Sequence, residues 1–475
     1  MSGSDAAKLP VELACIAALF VGTRALFLAN GVSFDAGTLE FYWQVADTQL
    51  LENRLWETVT HLHSQAPLFN TYLGLVLKAF GDASPRAFQA LSYAMSLAGI
   101  CLVHASMQRL GISRRLRGVV TTLVVLNPSL VILENQLFYE IPTAFLVSLS
   151  MFLFLEYRRT GHGRYLHLLF ATQATVSLLQ SAFHLAWFVL ASLIATGTTG
   201  TDLRTAARAI ALPLALLAGW YAHAWVQFGS PSLGTAQVGF NLATVAAREV
   251  PDADRQRLVD EGALSGVTEL GLMAFNSVNR YEGFYEPPAK TGIAILDRKK
   301  RSNGKKNTHH LAYIAISDVH AADAAVLMAR FPGAYVRSVG TNARNLLDPF
   351  DQTWPFGEQH PNVQAIAGYH QAYRNLVYLQ RTRDDPSLYY VLLFTVCVGW
   401  AGLQAARWYR RQTADLDSVL PYFLFNGVWG VVPLVLVSWD DQNRYRFRVE
   451  CFLLCLLVLF LNHLGQELVR RRAND

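Results

Sequence analysis

The sequence predicts an all-α polytopic membrane protein with about ten transmembrane helices, interfacial helices in its first outer loop and a small extracytoplasmic domain. Three observations lead there. Apolar and aromatic residues make up 52% of the 475, and only 16% are charged, where soluble chains are nearer a quarter. The apolar residues gather into stretches of about 20, the length that crosses a bilayer core. Arginines fall in alternate short loops, as membrane orientation requires, in every short loop but the last.

The first stretch, 10–30, is like a signal sequence, but Arg24 interrupts it and no small-residue cleavage site follows, so it reads as a retained anchor. Further spans are expected near 85–108, 118–134, 140–156, 165–181, 184–198, 208–228, 388–406, 418–438 and 447–465. With the N-terminus in the cytoplasm, the inner loops hold Arg109, Arg114, Arg115 and Arg117, then Arg158, Arg159 and Arg164. Arg204, Arg208, Arg407, Arg410 and Arg411 follow on the same side, with Arg470, Arg471 and Arg472 in the tail. The opposite loops near Glu134–Glu140 and Ser181–His184 have no basic residue. One outer turn breaks the pattern with Arg444, Arg446 and Arg448. The chain thus divides into an N-terminal transmembrane module at 1–228, with its first outer loop at 31–84, an outward domain at 229–386 and a C-terminal module at 387–475.

All five cysteines, Cys15, Cys101, Cys397, Cys451 and Cys455, fall in apolar stretches, so no disulfide framework or thiolate metal cluster is implied. The net charge of +5 follows the topology and calls for no nucleic-acid partner. Neither outer segment has an Asn-x-Ser/Thr acceptor, which favours a bacterial cytoplasmic (inner) membrane with the functional side facing outward.

In the first outer loop, apolar residues recur at roughly helical spacing from Thr38 to Leu51, with Glu40 and Asp47 among them. A second amphipathic stretch runs from Leu68 to Phe80. The expected picture is two surface-lying helices joined by the turn at 61–67. Asp35, just past the first span, is expensive near a bilayer unless it faces water or a substrate; it also suits the N-cap of a helix starting near Thr38. His61 and His63 alternate with Leu62 and share a face if the turn is extended. They could bind a divalent ion with a carboxylate, hydrogen-bond a sugar or phosphate together with Gln65, or simply shape the turn. Glu134 is either a sugar-binding group or a solvated helix end. Arg444 and Arg446 call for an anion, either a lipid phosphate or Asp440 and Asp441 in the same turn. Arg24 could serve the phosphate similarly or pair with Asp35.

A first span followed by acidic Asp35, then Tyr42-Trp43, then the turn His63-Ser64-Gln65-Ala66-Pro67-Leu68, resembles the GT-C superfamily of membrane glycosyltransferases. The match is to the protein mannosyltransferase and aminoarabinose transferase type. Asn127-Pro128 leading to ENQLFYEIP (134–142), and NRYRFRVE (443–450) before the last span, fit the same pattern. The resemblance covers 11 to about 200 and again 420 onward, and the middle domain only loosely. It implies a GT-C-like fold and transfer of a sugar, with inversion, from a polyprenyl-phosphate donor in the membrane lipid to an extracytoplasmic acceptor. It implies an acidic base just after the first span. The family often shows Asp-Glu or paired prolines, where this chain has Asp35-Ala36 and Ala66-Pro67, so the base stays open among Asp35, Glu40 and Asp47. Tyr42, His61, His63, Gln65, Glu134, Arg24, Arg444 and Arg446 are the expected substrate-binding set. The residues fix no cofactor, and a divalent metal could take part.

The middle segment is expected to hold a helix near 314–331 and a basic run at 298–306, read as a solvated loop or as an anion-binding one. Asp415-Leu416-Asp417 is like the Asp-x-Asp of nucleotide-sugar transferases but sits in a basic cytoplasmic loop and is taken as chance. The competing class is a lipid or solute transporter, which would place charge at mid-membrane and show repeated halves; neither is visible here.

Overall fold

A computed structural model of the chain describes residues 3–230, 232–271, 276–349, 360–382, 385–410, 419–438 and 442–474. Among them no strand forms, and the two β-bridges, Asp35 with Gln136 and Lys300 with Lys306, are isolated. Eight helical stretches are long and apolar enough to cross a bilayer: Leu9–Ala29, Pro67–Arg109, Glu140–Thr160, Leu203–Phe228, Ala312–Arg330, Leu388–Arg407, Leu420–Val437 and Asn443–Arg471. Large apolar side chains such as Val21, Leu212, Leu216, Val226 and Val398 stay exposed on them. In lipid that exposure is the favourable arrangement. The chain is an integral multi-pass membrane protein.

The expected count of about ten becomes eight because 118–134, 165–181 and 184–198 do not pass as single spans, while Ala312–Arg330 does. Gly163–Leu179, with 17 residues, is not among the candidate spans and is packed against Glu140–Thr160 and Leu203–Phe228. Its buried Gln173 donates to the Tyr422 hydroxyl at 2.9 Å and accepts from Ser192 at 3.2 Å, so protein partners replace the ones lipid lacks. Leu185–Thr199 has 15 residues, which at about 1.5 Å each fall short of a core about 30 Å thick. Ala312–Arg330, in the segment expected to lie outside, passes the same test. Its apolar residues serve packing: a Cβ on Gly239 of Thr235–Ala247 would lie 1.7 Å from the Ser317 carbonyl, so the two backbones touch.

The expected span at 118–134 is two helices, Arg114–Val125 and Pro128–Glu134, bent by 52° at Asn127-Pro128. Pro128 lacks an N–H and cannot continue the first helix. The Asn127 side chain caps the second by accepting from Ser129 N at 2.9 Å. The carbonyls freed at the break are met by the hydroxyls of Tyr373, on Leu123, and Tyr369, on Leu126, and by the Arg24 guanidinium on Val125. Without such partners a break at membrane depth would be costly.

The loop at 31–84 is more broken than two helices. Short helices Thr38–Phe41, Thr48–Asn53 and Leu55–Thr60 precede Pro67–Phe80, which runs through a turn at Gly81–Ala83 into Ser84–Arg109. The expected helix is interrupted where Asn70 accepts from Ala46 N at 2.8 Å and donates to Gln44 O at 3.0 Å, taking over backbone groups the helix would have paired. Asp47 then caps a new helix.

Candidate functional site

The chain leaves the first helix through Gly31, at φ 95°, where only glycine is unstrained. Asp35 then pairs edgewise with the segment after Pro128–Glu134: its N–H donates to Asn135 O at 2.8 Å, and Leu137 N donates back to Asp35 O at 3.0 Å. The Thr38 hydroxyl adds a bond to Leu137 O at 2.7 Å. Two motifs about 100 residues apart, the acidic loop and ENQLFYEIP, thereby form one unit. The Asp35 side chain is 41% exposed. Its Oδ1 accepts from Gly37 N at 2.7 Å and its Oδ2 from Gln136 Nε2 at 3.0 Å, with His360 Nε2 at 3.9 Å. His360, together with these two donors, holds the Asp35 carboxyl below its usual range, against the opposing effect of partial burial. Asp35 is therefore an ionised carboxylate with an open side. It caps no helix, since Gly37 occupies the cap of Thr38–Phe41 without a side-chain bond.

The arginines lie at the same end of the bundle. Arg444 stacks over Phe138 at 5.3 Å and Arg448 over Tyr139 at 4.8 Å, both rings belonging to the segment that holds Asp35. Buried Glu140 meets Arg444 at 3.4 Å and Arg448 at 2.9 Å. Arg446 faces elsewhere: it is wholly buried, donates to the carbonyls of Leu346 and Asp348, sits 3.3 Å over the Tyr390 ring and lies 3.9 Å from Glu450. Asp440 and Asp441, the alternative partners, are outside the described residues.

A cavity of about 440 Å³ opens beside Arg448. Its lining comes from Ser84–Arg109, Arg114–Val125, Glu140–Thr160, Leu388–Tyr409 and Glu450–Asn474, with Tyr373, Val377 and Tyr378. Leu116, Val120, Phe145, Leu454 and Leu461 make it apolar along its length, and its polar lining includes Arg448, Asn127, Tyr378 and Glu450. Among the described residues, Arg448 Nη1 and Nε have no hydrogen-bond partner. A buried guanidinium with one anchored nitrogen at the end of an apolar groove suits an anion carried on a long hydrocarbon.

The other candidates have structural partners. Arg24 grips Glu134 with two bonds, 2.7 and 2.8 Å, both groups being buried; Glu134 is no solvated helix end, and Arg24 pairs with it rather than with Asp35. Asp47 is buried and accepts from Ser302 N at 2.7 Å, the Ser302 hydroxyl and Gln49 N. Glu40 is exposed and, with Ala36 and Gly37, lines an open hollow of about 860 Å³ that also carries Glu52, Lys78 and Asp82. Tyr42 is buried, its hydroxyl 3.2 Å from that of Tyr139. His61 and His63 part company: His61 bonds the Glu57 carbonyl at 2.7 Å, whereas His63 is fully buried on the His309 carbonyl at 2.8 Å. Burial lowers the His63 imidazole to about 4. Gln65 is buried and donates to Gln180 at 3.4 Å. Among the described residues no three His, Cys, Asp or Glu side chains converge as a cation site requires.

The basic run is exposed at Arg298, Lys299, Lys300, Lys305 and Lys306, as a solvated loop is, but it is anchored at Arg301. Arg301 is buried and donates to Tyr42 O at 2.8 Å, and Asn303 donates to Glu40 O at 3.0 Å, so the run clamps the loop at 31–84. Arg448 could have been singled out beside Arg444 and Arg446 in NRYRFRVE. Gln136 lay within a quoted motif, but no sequence signal marks His360 or His309. Comparison with family models, curated proteins and solved structures finds no match to the chain.

Proposed function

We propose that the chain is a GT-C-type membrane glycosyltransferase that moves a sugar from a polyprenyl-phosphate donor to an acceptor outside the cytoplasm, in a bacterial inner membrane. The observation that carries this reading is the apolar groove ending at Arg448, at the same end of the bundle as the half-open carboxylate of Asp35. The polyprenyl tail lies along the groove, and Arg448 takes the phosphate. The acceptor, reaching Asp35 from the open hollow flanked by Ala36 and Gly37, brings a hydroxyl. Asp35 takes its proton as the oxygen bonds the anomeric carbon, and the bond from that carbon to the phosphate oxygen breaks on the opposite face, inverting the centre. Polyprenyl phosphate departs with the electron pair, its charge held by Arg448. A carboxyl with a lowered pKa is suited to begin this cycle ionised, and the expected choice among Asp35, Glu40 and Asp47 falls on Asp35.

The test is turnover of radiolabelled polyprenyl-phosphate sugars by the purified protein in lipid nanodiscs, read as release of free polyprenyl phosphate. Asp35→Asn should abolish release while insertion and melting temperature hold, because its side chain is partly exposed and the amide can still accept from Gly37. Release undiminished in that variant would remove Asp35 from the chemistry. Movement of lipid across the bilayer without release would make the chain a transporter.

A further inference from the structure

We infer that His360 is a positioning residue for the Asp35 carboxylate, presenting a ring N–H to the oxygen that Gln136 also holds. The inference rests on the transferase reading for what Asp35 does, but its geometry stands independently. Asn362 clamps the backbone of Ser33 in both directions: Ser33 N donates to Asn362 Oδ1 at 2.9 Å, and Asn362 Nδ2 donates to Ser33 O at 2.8 Å. His360 and Asp35 each lie two residues from this clamp, so the register that brings them together is fixed although 325 residues separate them in sequence.

The orientation of the ring is fixed as well. His360 caps the helix Pro361–Ala365, its Nδ1 accepting from Asn362 N at 3.2 Å. A ring nitrogen that accepts carries no proton, so the neutral imidazole holds its hydrogen on Nε2. Nε2 is the atom that faces Asp35 Oδ2, at 3.9 Å. Two consequences follow. His360 cannot itself be the base toward that side, because the nitrogen pointing there is already protonated. It instead favours the ionised carboxylate, and contacts of this kind shorten when substrate closes the site. With Oδ2 turned to Gln136 and His360, and Oδ1 bonded to Gly37 N, the lone pair left on Oδ1 is the one available to an acceptor hydroxyl. Among the described residues facing Asp35, Gln136 and Gly37 are uncharged, and His360 is the titratable group.

The helix cap and the carboxylate contact can be separated. His360→Asn and His360→Ser retain a capping oxygen for Pro361–Ala365 but are too short to reach Asp35. The measurement is the pH dependence of Asp35 modification by a water-soluble carbodiimide, which labels the protonated acid, on the full chain in nanodiscs, read by peptide mass spectrometry. Both variants should label Asp35 about threefold to tenfold faster than wild type at a pH above the midpoint, a rise of about half to one pH unit. The acid limb of donor turnover should move by the same amount. Unchanged labelling in both variants, with an unchanged melting temperature, would overturn the inference. Labelling needs no turnover: wild-type protein that shows the His360 effect but releases no polyprenyl phosphate would defeat the transferase reading alone.

Discussion

Replacing Arg448 with methionine tests the head of the groove with least damage to the fold. Arg448 Nη2 is bonded to Glu140 at 2.9 Å, while Arg444 approaches the same carboxylate at 3.4 Å. In Arg448→Met the carboxylate therefore keeps one guanidinium, and the buried space is refilled by an unbranched apolar side chain. The lost charge-assisted bond costs about 1.5–3 kcal/mol, part of which is returned because a buried guanidinium no longer has to be desolvated. The expected net loss of stability is about 1 kcal/mol. Donor affinity should suffer more, since a guanidinium–phosphate bond worth about 1.5–3 kcal/mol corresponds to roughly 10- to 150-fold in Kd. Lysine should restore only part, having charge without the planar fork. The assay is titration of nanodisc-embedded protein with polyprenyl phosphate, alongside thermal unfolding. Binding within twofold of wild type in a folded Arg448→Met protein would refute the assignment of the groove head. Glu140→Gln is the contrasting control: it leaves buried arginines facing each other and should destabilise by about 3–5 kcal/mol.

Two further outcomes are expected. His63 titrates near 6.5 when unfolded and about 4 when folded, so its contribution is complete above pH 6.5 and is lost as pH falls toward 4. Between pH 7 and 5 this amounts to about 2 kcal/mol, and His63→Phe, which keeps an aromatic ring against Phe228, should flatten the dependence of melting temperature on pH in that window. Asp47→Ala should lower stability by about 1–3 kcal/mol through the orphaned donors of Ser302 and Gln49, with turnover per folded molecule retained. Glu40→Gln should change neither quantity appreciably, and loss of turnover there would move the base along the loop.

The loop at 31–84 shows how far residue order carries. That an acidic loop follows the first span is legible directly, as is the run of arginines before the last span, whereas 118–134 reads as one span and its break at Asn127-Pro128 emerges only in the structure. Which carboxylate is left open is not legible, because Asp35, Glu40 and Asp47 are alike until their partners are known. Asp47 meets Ser302, Asp35 meets Gln136 and His360, and Glu40 meets solvent; the first two outcomes depend on contacts across about 100 residues or more. Arg24 reads in the sequence as a partner for a phosphate or for Asp35, and the packing of the first helix against the bent pair gave it Glu134 instead.

Hydropathy alone determined that this chain lives in a membrane and crosses it many times, since a span is a local property of about 20 consecutive residues. Only the tertiary structure decided which polar residues face protein and which are left for a substrate. A hydrogen bond or ion pair is a property of two residues brought within about 3 Å, and nothing in the order of a chain states that distance.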